Sequence, residues 1–149
     1  IMKKIIELII KAKTKYKIDT IITGAIKSEY QASRIRKICE KLKLNCLNPL
    51  WERDEIEYLN ELIRKDFKVI ITGVFAFPLD QTWIGREIDE KFIESVVDLN
   101  NRYKIHPAGE GGEFETFVLY CPLFKKHLNL KKLKVSGEKN SWRADIEVE

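Results

Sequence analysis

Between Phe67 and Phe77 the chain reads FKVIITGVFAF, a strongly apolar run of strand-forming residues. Its Val69-Ile70-Ile71 centre has no polar residue to alternate with, so this strand is expected to be covered on both faces. That requirement constrains the fold more than any other feature, because a strand covered on both sides must lie inside a layered structure. Helical patterns flank it. Asp54 to Lys65 turns Ile56, Leu59, Leu62 and Ile63 to one side, and Asp89 to Tyr103 does the same with Phe92, Ile93, Val96 and Val97. Pro78 to Arg86 reads as the loop between strand and helix.

The remaining pattern divides the chain. Ahead of the apolar strand come a helix over Met2–Lys15, a short buried strand over Ile18–Ile26, a helix over Ser28–Lys43 and an extended piece from Leu47 to Trp51 around Pro49. The opening helix has Ile5, Ile6, Leu8, Ile9 and Ile10 on a broad apolar face and no N-cap before it, a pattern expected of a truncated sequence and equally of a tag scar or a processed start. After Gly109 the pattern changes to strands: Glu113–Cys121, ended by Pro122, then a hairpin of Lys132–Ser136 and Trp142–Val148. The sum is an α/β front half and a β-rich back half.

Charge and cysteine usage narrow the function classes. Lys+Arg 27 against Asp+Glu 23 leaves a net charge of +4, with the two signs interspersed along the helices. The lysines between Lys125 and Lys134 lack aromatics spaced as a stacking platform, so direct nucleic-acid binding is not expected. Cys39, Cys46 and Cys121 form no CxxC pair, which favours reduced thiols over a disulfide framework. His106 and His127 have no metal-ligand spacing, and no metal site is expected. No apolar run is long enough for a bilayer and no signal-peptide pattern occurs, so a cytoplasmic protein without a membrane partner is expected.

Two elements break their apolar pattern with polar residues. On the Ser28–Lys43 helix, Ile35, Ile38 and Leu42 define a meridian on which Gln31 falls, with Arg34 to one side. A polar pair is therefore expected to face inward at the helix start, where anions are favoured and Ser28 and Gln31 match a capping box. The plain alternatives are a cap for Ser28 and a snorkelling surface role for Arg34. In the strand after Gly111-Gly112, a period of two puts Glu113 and Glu115 on the face of Phe117, Leu119 and Cys121. These two carboxylates are expected to point inward. The alternative is a Gly-Gly turn with exposed acids. Tyr30, Trp51 and Trp83 stand at element ends, where half-buried packing is the ordinary explanation.

An ordered set of motifs goes further. Gly24-Ala25-Ile26-Lys27-Ser28-Glu29-Tyr30-Gln31 with Arg34 and Cys39 is followed by Pro49-Leu50-Trp51, then Trp83-Ile84-Gly85-Arg86. Glu110-Gly111-Gly112-Glu113-Phe114-Glu115-Thr116 and Pro122-Leu123-Phe124 complete the series. Together they resemble the diphthine–ammonia ligases of the ATP-pyrophosphatase superfamily, over about residues 5–124. The resemblance implies a partial Rossmann-like (adenine nucleotide alpha hydrolase-like) half over residues 1–48 and a substrate-binding α+β domain over residues 49–149. It implies ATP with Mg2+ as cofactor, ammonium as a substrate, and elongation factor 2 carrying diphthine as the protein partner. The implied reaction forms an acyl-adenylate that ammonia converts to the amide diphthamide. A homodimer is left open.

The same resemblance implies roles for residues. Gly24, Ala25, Ser28, Gln31 and Arg34 would border the nucleotide. Glu113 and Glu115 would attract and deprotonate ammonium, with Glu110 either in that group or ordering the turn. Tyr30, Trp51, Trp83, Arg86, Gly111, Gly112 and Thr116 would face the substrate, the three aromatics as a cage for its trimethylammonium group. The family's N-terminal strand and S-G-G-K-D-S phosphate loop find no match among these residues, so a C-terminal part of the ligase is expected. Arg36 stands where relatives commonly carry an acid, on a solvent-facing position. Two other readings remain: a non-catalytic binding module, and a related RNA-modifying ATP-pyrophosphatase, against which the missing CxxC pair and basic stripe argue.

Overall fold

Residues 2–149 are described by the computed structural model, and they fold as two units that divide between Arg53 and Asp54. The first contains helix α1 (Met2–Tyr16), strand β1 (Thr20–Ile22), helix α2 (Glu29–Leu42) and strand β2 (Asn45–Leu47). β1 and β2 pair in parallel, Thr20 with Asn45 and Ile22 with Leu47, and α2 supplies the crossover that parallel strands require. Ala25, Ile26, Ala32, Ile38, Cys39 and Leu44 are buried. Burial, with Cys46 beside it, pushes the Cys39 thiol above its ordinary pKa. All three cysteines are free thiols.

Two expectations for this unit change. The strand read over Ile18–Ile26 is only three residues long. Thr23 donates its backbone N–H to Leu47 O at 2.9 Å, its hydroxyl bonds Asn48 Oδ1, and the chain then leaves the pair, burying Ala25 and Ile26 from a loop. The residues around Pro49 are a turn and not an extended piece: Trp51 N donates to Asn48 O at 3.1 Å and Arg53 N to Leu50 O at 3.2 Å.

The second unit contains α3 (Glu55–Arg64), β3 (Lys68–Val74), a 3₁₀ turn (Gln81–Trp83), α4 (Glu90–Tyr103), β4 (Phe114–Tyr120), β5 (Leu130–Glu138) and β6 (Ser141–Val148). The strands form one antiparallel sheet in the order β4-β3-β6-β5. Val69, Ile70 and Ile71 are all buried, as the apolar run requires. The loop after β3 returns beside it: Ile71 N donates to Arg86 O at 3.0 Å, Gly85 N to Ile71 O at 2.8 Å and Ile88 N to Val69 O at 2.9 Å. β3 is thus bonded along both edges. The core joins Leu59 of α3, Val69, Ile71 and Val74 of β3, Phe92, Val96 and Leu99 of α4, and Phe114 of β4. Asp54 and Asp89 cap α3 and α4, accepting from Glu57 N and Phe92 N at 2.8 Å. The whole is a mixed α/β fold whose second unit is β-rich. No helix among the described residues is long and apolar enough to cross a membrane.

Candidate active site

The loop from α4 to β4 is built around two side chains. Lys104 ends α4 in the left-handed conformation, and the Asn100 side chain donates to Ile105 O at 2.9 Å. The next residue, His106, donates its backbone N–H to Glu113 Oε1 at 2.9 Å, closing the loop across seven residues. Inside it, Gly109 N donates to His106 O at 2.9 Å and Gly112 N to Gly109 O at 3.0 Å. His106 Nδ1 receives the N–H groups of Ala108 and Glu110 at 3.2 and 3.4 Å. Only an unprotonated nitrogen accepts, which assigns the ring proton of the neutral form to Nε2. That atom lies 3.1 Å from Glu55 Oε1, both side chains being largely buried. The approach is close in distance but lacks hydrogen-bond alignment, and Nε2 has no hydrogen-bond partner among the described residues.

The two glycines follow from the position of Glu113. A Cβ on Gly111 would fall 2.6 Å from Glu113 Oε1 and 2.9 Å from Oε2, so the carboxylate lies directly over that backbone. Gly112 has φ +83, a conformation that side chains rarely adopt. Glu113 Oε2 is buried and has no hydrogen-bond partner among the described residues. An orphaned buried carboxylate oxygen is costly and is a ready acceptor for an N–H donor.

Past the loop, the sheet sorts the acids differently from the expected inward pair. Phe114, Val74 and Trp142 form a row across β4, β3 and β6 that packs in or against the core. The adjacent row, on the opposite face, is Glu115, Gly73 and Arg143. Glu115 and Thr116 are exposed. The alternation holds from Phe114 to Val118, but it does not say which face is inner, and Phe114 and Val118 take that place. A bulge at Leu119, where Lys68 pairs with Tyr120 and Val69 with Val118, then reverses the alternation, so Cys121 is buried although it shares parity with Glu115. The Glu115 carboxylate stands 3.8 Å from Arg143 Nη2.

Trp83 and Arg86 are brought together in this unit. The indole packs edge-on against Phe92 at 5.8 Å between centroids, and the Arg86 guanidinium lies 4.1 Å over the indole. Arg86 also donates to Ser95 Oγ at 3.1 Å. The turn that presents Trp83 is capped by Asp80, whose carboxyl is held below the usual range by the Thr82 hydroxyl and N–H. Glu110 and the glycines belong to the loop already described.

The other candidates lie in the first unit. Gly24 is exposed, with nothing within 4 Å of where a Cβ would stand, and Ala25 is buried. Ser28 is the N-cap of α2 without a side-chain cap bond, so the expected capping box does not close. Gln31 and Arg34 are exposed and not inward-facing. Ala32 and Cys39, each 1% exposed, complete the buried stripe and draw its centre away from Arg34. The Arg34 guanidinium instead lies 3.9 Å over the exposed Tyr30 ring. Trp51 is half-buried in its turn.

Four residues escaped the reading of the sequence: Glu55, Phe75, His106 and Arg143. His106 was judged only as a metal ligand. The glycine at position 73, inside an apolar strand, was the available signal for Phe75 and Arg143, since such glycines mark close approach.

Comparison with known proteins gives a consistent set. Residues 54–148 match the family described as diphthamide synthase C-terminal domain. A diphthine–ammonia ligase of Schizosaccharomyces pombe is 38% identical over 125 residues, covering 81% of this chain and 20% of that protein. Those of Bos taurus and Homo sapiens are 39% and 38% identical over 123 residues, covering 82% of this chain and 46% of theirs. The chain therefore spans less than half the length of these relatives.

Proposed function

The chain belongs to the diphthamide synthase family, whose C-terminal domain it contains, and from that premise we propose that it forms the C-terminal portion of an ATP-dependent diphthine–ammonia ligase. The observation that carries the reading is the buried Glu113 Oε2, an acceptor without a donor in a loop whose neighbouring strand offers a second carboxylate. Ammonium brings N–H donors and a positive charge, and must lose a proton before it can attack a carbonyl. Glu113 accepts one N–H of ammonium and is the general base; the exposed Glu115 attracts the cation. Glu110 orders the turn through its backbone N–H on His106. Thr116, Gly111 and Gly112 border the diphthine side chain of elongation factor 2.

The first unit supports a nucleotide border of the adenine nucleotide alpha hydrolase-like kind. The loop holding Gly24 and Ala25 runs from the end of a parallel strand to the start of a helix, where anions are favoured. Open space at Gly24 allows close backbone approach, while Ser28, Gln31 and Arg34 stand on or next to the first turn. ATP, with Mg2+, would supply activation of the substrate carboxylate when bound. Tyr30 and Trp83 each carry a guanidinium of their own, from Arg34 and Arg86, which is the chemistry expected of rings that accept a cation. Trp51 is a second aromatic candidate in the first unit, with Tyr30, and Trp83 the candidate of the second unit.

The test is amide formation from diphthine, ATP and ammonium by a ligase whose C-terminal portion is this chain. Glu113→Gln should lower the rate by about 10²-fold or more with circular dichroism unchanged. Full activity in both Glu113→Gln and Glu115→Gln would sink the assignment.

A further inference from the structure

Gly73 is the penultimate residue of the inner strand β3, where a side chain would ordinarily stand between its two cross-strand neighbours. Those neighbours are Glu115 on β4 and Arg143 on β6, in register with Gly73 and on the same face. The missing side chain leaves a gap in the row. Into it lean the Phe75 ring and the Glu115 carboxylate: a Cβ on Gly73 would meet Phe75 Cζ at 2.7 Å and Glu115 Oε2 at 3.2 Å. An aromatic face and a carboxylate thus converge on one point of the sheet, and glycine is the residue that permits it.

A cation already occupies that position. The Arg143 guanidinium lies 4.8 Å from the Phe75 ring centroid and 3.8 Å from Glu115 Oε1. Both contacts are weak. The ion pair is longer than a charge-assisted hydrogen bond, and the side chains of Arg143 and Glu115 are 69% and 60% exposed. Among the described residues, the arginines over Tyr30, Trp83, Phe92 and Tyr103 each come from within six residues of the ring along the chain. Phe75 is the one whose cation comes from another strand and shares a carboxylate, which makes a two-sided seat.

We propose that Phe75 and Glu115, drawn together over Gly73, form a binding site for an alkylated ammonium group, with Arg143 as its internal competitor. The carboxylate supplies charge attraction to any cation. The ring adds preference for a poorly hydrated, methylated one, because a strongly hydrated ammonium keeps its water. This rests on the ligase reading only for the identity of the natural ligand, the methylated ammonium of diphthine, for which the seat is an alternative to Tyr30, Trp51 and Trp83; the seat itself rests on the row Glu115–Gly73–Arg143.

The experiment titrates the full chain with tetramethylammonium chloride, followed by amide and side-chain NMR shifts, with ammonium chloride at equal concentration as the comparison. Saturable shifts at Phe75, Glu115 and Arg143, larger for tetramethylammonium, are expected. Phe75→Leu and Glu115→Gln should each weaken binding about threefold to fivefold, and Arg143→Gln should strengthen it by a similar factor. Glu115→Gln is exposed and isosteric, so it reports on the site even if Phe75→Leu disturbs the strand. Equal responses to the two salts, or no binding by Arg143→Gln, would overturn the proposal. Binding at the seat together with a failed amide assay would keep the seat and discard diphthine as its ligand.

Discussion

The two units bury their apolar residues to very different depths. In Asp54–Glu149, Leu59, Ile71, Val74, Leu79, Phe92 and Val96 are all at 2% exposure or below. Among the described residues of the first unit, only the small Ala32 and Cys39 reach that level, while Leu8, Ile10, Tyr16, Ile22, Tyr30 and Leu47 are exposed. The cause lies in the strands. β3 has seven residues bonded along both edges, whereas β1 and β2 have three each and pair only with one another. Parallel strands depend on cover over both faces, which two three-residue strands and two helices supply thinly. The difference bears on function: the Gly-Gly loop is fixed by the side chains of its own unit, while Gly24, Gln31 and Arg34 are displayed on a light scaffold.

The strongest test of this contrast is Phe92→Ala. Removing the ring from the centre of the second unit should cost about 3–5 kcal/mol in urea unfolding. Amide hydrogen exchange should lose protection in β3, with the β1 and β2 amides unchanged. A parallel loss in both units would break the contrast. A middle-sized effect is expected from one pair of glycines. Gly111→Ala places a methyl group against the Glu113 carboxylate and should cost about 1–3 kcal/mol, whereas Gly24→Ala, in open space, should stay within about 0.5 kcal/mol. Equal costs would mean that the loop yields more freely than its hydrogen bonds imply. The smallest effect is Asp89→Ala, which removes the cap on Phe92 N and should cost about 1 kcal/mol in thermal or urea melts. A cost near zero would show that α4 is fixed by its buried face alone.

Most elements were legible because their signals are local. The periodic helices at 54–65 and 89–103, each opened by an aspartate cap, and the hairpin around Gly137–Asn140 lie within a residue or two of where they were read, apart from a β5 somewhat longer than expected. β2 was missed because three residues carry too little pattern. The site was legible in part. The segment 110–116 announces itself through glycines and acids, yet its pattern presents Glu113 and Glu115 as equals, whereas one is folded into the loop and the other is on the outer face. Nothing local separates them: the split depends on Phe114 claiming the core and on the His106 N–H claiming Glu113.

By itself the sequence determined the class of fold, the family and the loop that carries the acids. Those follow from periodicity, caps and ordered motifs, which are properties of neighbours along the chain. Only the tertiary structure decided which carboxylate is buried, that Gln31 and Arg34 face solvent, and that Glu115, Gly73 and Arg143 form one row. These depend on strand register and on competition for a single core, and they join residues up to seventy positions apart (Gly73 to Arg143) that no local pattern can bring together.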